Sequence, residues 1–118
     1  DGPDVRLSPK QALALSMALH ELATNAAKYG ALSNDAGRIE VVWRVALNGG
    51  AELQLTWTES GGPPVVPPAR TGFGSRLIQR SLAQDLGGAT SMEYCPQGLI
   101  SVIKTPIETA SFNPFLWP

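Results

Sequence analysis

Glu21, Asn25 and Lys28 stand at i, i+4 and i+7 within the stretch HELATNAAKYGALS, residues 20–33. In a helix this spacing lines up a carboxylate, an amide and an ammonium on one face. An amide oxygen can ligate a hard cation, an ammonium can meet a phosphate, and a carboxylate can accept a hydrogen bond from metal-bound water. The trio therefore suits a magnesium-nucleotide, although helices also carry such residues simply as a solvated face. Two further places could do related chemistry. Glu59, followed by Gly61 and Gly62, is either an acid that accepts the amino group of an adenine lying against bare backbone, or a solvated acid at a strand-end turn. Gly72-Phe73-Gly74 ahead of a helix lets backbone N–H groups approach an anion, but no Rossmann fingerprint or P-loop lysine accompanies it, and an ordinary glycine loop would look the same.

The elements that would position these groups are legible from period and punctuation. Ser8, Pro9 and Gln11 spell a capping box with proline at the first helical position, and the helix is predicted to run on to about Tyr29. Gly30 stands where a left-handed C-cap is expected, and residues 31–37 read as a loop. Counting about 100° per residue, the apolar stripe of Leu15, Leu19, Leu22 and Ala26 lies roughly 120° around the helix from the polar trio, which therefore borders the core.

Strict alternation from Arg38 to Leu47 predicts a strand with Ile39, Val41, Trp43, Val45 and Leu47 on one side. Asn48, Gly49 and Gly50 turn the chain into a second strand, with Leu53, Leu55 and Trp57 on its covered face and Gln54, Thr56 and Thr58 on the other. Glu59 shares the parity of the covered face, so it is aimed toward the layer where the first helix packs. Four prolines between Gly61 and Thr71 mark a surface loop. From Ser75 a second helix is expected, burying Leu77, Ile78, Leu82 and Leu86 and stopped by Gly87 and Gly88. Two closing strands, at about residues 89–94 and 99–105, flank a turn at Pro96, Gln97 and Gly98.

Composition sets the outer bounds. The chain has 118 residues, is 43% hydrophobic and carries a net charge of −1, which suits one folded domain over residues 1–107 with an apolar tail at 108–118. Its nine Lys and Arg residues are scattered, so nucleic acid and membrane surfaces are disfavoured as partners. One cysteine, Cys95, and one histidine, His20, offer neither an internal disulfide nor a zinc cluster. With no apolar run of membrane-span length and no signal peptide, a cytoplasmic fragment is the expectation.

The order of these segments resembles the ATP-binding catalytic domain of sensor histidine kinases, in the superfamily of gyrase, Hsp90 and MutL. The order is polar-faced helix, hairpin, acid with glycines, proline loop, glycine pair, helix and hairpin. His20 and Trp57-Thr58-Glu59 resemble the N-box histidine and Trp-x-Glu motif that name the HWE subfamily. The resemblance covers the chain up to Pro106 and implies an α+β two-layer sandwich, with a mixed, mostly antiparallel sheet and helices on one face. By resemblance, Asn25 is the magnesium ligand and Glu21 the acid that orients metal-bound water or assists phosphoryl transfer. Lys28 contacts phosphate, Tyr29 walls the adenine pocket, Glu59 takes the place of the usual adenine-reading aspartate with Gly61 beside the base, and Gly72 and Gly74 cover the phosphates. Residues 63–71 would be a short ATP lid.

His20 is expected to support Glu21 rather than accept phosphate, because the family's phosphoacceptor sits on a separate dimerising hairpin. Trp57 is expected in the core. The chain departs from many relatives at Leu99, where a hydroxyl usually bridges to adenine through water, and Ser101 is the nearest substitute. The implied cofactors are ATP and Mg2+, and the implied partners are a phosphoacceptor and dimerisation domain and a response regulator. The rival readings are a superfamily ATP hydrolase or serine kinase, and an interaction module that has lost nucleotide.

Overall fold

The computed structural model describes residues 1–3, 5–28, 30–47, 50–63, 87–95 and 97–107. Helix α1 spans Pro9–Lys28 and a short 3-10 turn follows at Ala31–Ser33; the strands are β1 (Arg38–Leu47), β2 (Ala51–Ser60), β3 (Ala89–Cys95) and β4 (Gly98–Ile107). The capping box forms in both directions: the Gln11 N–H donates to Ser8 Oγ and the Ser8 N–H to Gln11 Oε1, each at 3.1 Å. Gln11 also donates through Nε2 to the Pro106 carbonyl at 2.9 Å, which ties the helix start to the end of β4.

The four strands form one sheet in the order β1-β2-β4-β3, and every pairing between them is antiparallel. A parallel-type contact comes instead from the first residues. Asp1 donates to Val41 O and accepts the Trp43 N–H, bonding on either side of Val42 along the free edge of β1. The Trp43 indole adds a 2.7 Å bond to Pro3 O, and Gly2 lies so close that a Cβ would sit 2.3 Å from the Trp43 carbonyl oxygen.

The alternation anticipated for β2 is complete, with Ala51, Leu53, Leu55, Trp57 and Glu59 all buried on the face toward α1. Register aligns Val41, Trp57, Ser101 and Met92 in one row across the sheet, and Trp43, Leu55, Ile103 and Thr90 in the next. Ala14, Leu15 and Ala18 of α1 pack on Leu53, Leu55 and Ile103, while Leu22 and Ala26 pack on Trp57 and Leu99. Helix and β2 therefore run in the same sense, and the C-terminal end of α1 arrives at the Glu59 end of β2. Each large aliphatic side chain buried this way contributes about 1.5–3 kcal/mol. The opposite face of the sheet is more open and polar, carrying Arg44 bonded to Gln54, and Gln54 bonded in turn to Glu52, each at 2.9 Å.

One expectation is corrected. Gly30 is not a left-handed cap: it has φ −114° and ψ −145°, and its N–H is shared between the carbonyls of Ala26 and Asn25 at 3.1 and 3.2 Å. Its lack of a side chain has a packing reason, described below. The loop expected at 31–37 begins with the 3-10 turn, and Asn34 Oδ1 closes it by accepting the N–H groups of Ala36 and Gly37 at 3.1 and 2.9 Å. Gly87 adopts φ +59°; the helix it was expected to stop, residues 64–71 of the proline-rich loop, and the apolar tail lie outside the described residues.

Candidate functional site

The covered face of β2 ends in an acid. Glu59 is 4% exposed, and a buried carboxylate must be satisfied by donors. Two are present. Oε1 accepts the Ala31 backbone N–H at 2.9 Å, and Oε2 accepts the Trp57 indole N–H at 3.0 Å. The first donor is available because α1 ends at Lys28, three residues earlier, and the following 3-10 turn leaves its leading amide without a helical partner. The second is available because residues two apart on a strand share a face.

Glycines let the backbone close around this carboxylate. A Cβ on Gly30 would sit 2.2 Å from Glu59 Oε1 and 3.2 Å from Ala26 Cα, so a side chain there would displace the acid. Gly61 has φ +73°, and a Cβ would lie 2.5 Å from the Ala36 carbonyl oxygen; at Gly62 it would meet Ala31 Cα at 2.7 Å. On the β4 side, a Cβ on Gly98 would fall 1.7 Å from the Glu59 carbonyl oxygen. The glycines after the acid and the turn after α1 thus pack backbone against backbone.

On α1 itself, Asn25 Nδ2 donates to Glu21 Oε1 at 3.5 Å, the long limit of such a bond. Both side chains are part-buried, and Lys28 is exposed in the last turn. Because Asn25 donates through its nitrogen, its carbonyl oxygen remains an acceptor for another group. A neutral amide oxygen beside a carboxylate is a donor set that suits a hard cation such as Mg2+. His20 is exposed, and its carbonyl accepts the Thr24 hydroxyl at 2.8 Å. Leu99 is buried against Leu22, Ala26 and Trp57. Ser101, two residues further along the same face, is 1% exposed and lies opposite Trp57 in the register.

The fold thus brings the end of the N-terminal helix against Glu59, as the parity of β2 implied, and puts Glu21 and Asn25 within reach of one another. Tyr29, Gly72 and Gly74 lie outside the described residues. Sequence reasoning missed the Ala31 amide and the Gly30 contact, neither of which is marked by a residue type. The Trp57 bond could have been found, since Trp-x-Glu on one strand face carries a donor-only indole beside an acceptor-only carboxylate.

No protein-family model matches the chain. A blue-light-activated histidine kinase from Brucella ovis is 42% identical over 112 residues, which is 94% of this chain and 23% of the relative; the chain thus spans about a quarter of that protein. Among solved structures, the histidine kinase domain of the Erythrobacter litoralis EL346 blue-light activated histidine kinase superposes with a TM-score of 0.68 at 23% identity, covering 89% of this chain and 52% of that one. The catalytic domain of histidine kinase ThkA gives 0.61 at 18% identity, with 80% of this chain and 66% of that one covered. The fold is that of these domains, and the sequence match extends over nearly the whole chain. On that match and that fold, the chain belongs to the catalytic domains of histidine kinases.

Proposed function

We propose that this domain binds ATP with Mg2+ and supplies the γ-phosphate to a phosphoacceptor histidine on a separate dimerisation domain, from which the aspartate of a response regulator would receive it. The observation that carries this reading is the junction between α1 and β2. A nearly inaccessible acid, held by two N–H donors, stands where the helix bearing Glu21, Asn25 and Lys28 ends. Glu59 would accept the adenine amino group, with Gly61 beside the base and Tyr29 walling the pocket. Asn25 would ligate the cation and Glu21 would orient a metal-bound water, Lys28 would meet a phosphate, and Gly72 and Gly74 would lie over the phosphates. The bound cation would neutralise phosphate charge. Phosphoryl transfer asks little covalent chemistry of the protein and much positioning, so these residues bind and orient, and Glu21 is the acid available to assist at the reacting end.

Calorimetric titration of ATP, with and without magnesium, tests the reading. Binding that depends on magnesium and is weakened at least tenfold by Asn25→Ala is expected, since a lost charge-assisted contact costs on the order of 1.5–3 kcal/mol. Absence of binding by a folded sample at millimolar ATP would overturn it in favour of an interaction module. Steady ATP turnover without any histidine-bearing partner would favour a hydrolase instead.

A further inference from the structure

We propose that Trp57 is a positioning residue for base recognition, its indole N–H fixing the Glu59 carboxylate in the one rotamer that meets the amino group of adenine. This rests on the reading of Glu59 as the adenine contact. An acid reads a base well only if it is held still before the base arrives, because ordering a glutamate on binding would cost rotamer entropy that weakens the complex. Glutamate has one more rotatable bond than aspartate and needs correspondingly more anchoring. Here each oxygen has its own anchor, Ala31 N–H on Oε1 and Trp57 Nε1 on Oε2.

The second anchor is itself immobile. Trp57 is 6% exposed and is packed by Leu22, Ala26 and Leu99, so the indole cannot turn away without opening the core. An ionised carboxylate has about four acceptor directions. Two are taken by these N–H groups, which leaves acceptor capacity for an exocyclic amino group. The indole can only donate, and so cannot be replaced in this task by a residue that merely fills the volume.

The test compares two nucleotides on the full-length kinase: ATP, and purine riboside triphosphate, which lacks the amino group. The wild type is expected to prefer ATP by about tenfold or more, the value of one hydrogen bond to a charged acceptor. Trp57→Phe, which keeps the aromatic bulk and removes the N–H, is expected to bring that ratio to within about threefold of unity by weakening ATP alone. Equal weakening of both nucleotides, or an unchanged ratio, would overturn the role of Trp57 and leave the Glu59 reading standing. A wild type that binds both nucleotides equally would overturn both.

Should Trp57→Phe fail to fold, the wild-type indole N–H resonance of Trp57 decides. It is expected to shift on addition of ATP and to stay in place with the analogue. A resonance indifferent to both nucleotides, in a protein that binds them, would overturn the proposal.

Discussion

Glu59 shows how much a single carboxylate can fix when both of its oxygens are occupied. Glu59→Gln keeps the shape but turns one acceptor oxygen into an NH2 group facing either the Ala31 amide or the Trp57 indole. A donor set against a donor in a buried place costs about 1–3 kcal/mol. Urea unfolding should therefore show a lower midpoint with an unchanged slope. Gly30→Ala acts from the other side: its Cβ would fall 2.2 Å from Glu59 Oε1, and overpacking of that kind costs about 1–3 kcal/mol. The same measurement should detect it, together with weakened ATP binding if the acid is pushed from its donors. At this scale the sequence was half legible. Parity aimed Glu59 inward, but a glycine does not announce what approaches the space where its side chain would be, so Gly30 read as a left-handed cap when its backbone is not left-handed.

The elements themselves were easier to read, because their signals are local. The capping box at Ser8 and Gln11 and the alternation of β1 and β2 each involve neighbours in sequence. Ser8→Ala should destabilise the protein by about 1 kcal/mol through loss of the cap. Gln11→Ala should cost more than Ser8→Ala, since it removes the reciprocal bond and also the link to Pro106 on β4; thermal unfolding of the two variants side by side would rank them. What local signals do not carry is which strands adjoin. That β4 inserts beside β2, leaving β1 and β3 outside, follows from the fit of Leu55 and Trp57 against Ile103 and Ser101, contacts made over long separations in sequence. The covering of β1 by the first residues was illegible for the same reason, since three residues show no period.

For the molecule as a whole, the sheet is shielded by α1 on one face, and its far face carries the Arg44-Gln54-Glu52 chain of polar bonds. The edge at β1 has its own protection in Asp1, Gly2 and Pro3, held by two backbone bonds and the Trp43 indole. An uncovered strand edge is a template on which other chains can add. With those three residues present, the N–H of Trp43 and the carbonyl of Val41 are already spoken for. Val42, 41% exposed, points from the midst of that edge toward solvent. A chain shortened by its first three residues should therefore scatter light increasingly with concentration and time, while the intact chain stays clear, and equal clarity would show that the edge recruits nothing. On this expectation the short stretch before the first helix does more than lead into the domain: it serves as an insulator against growth of the sheet.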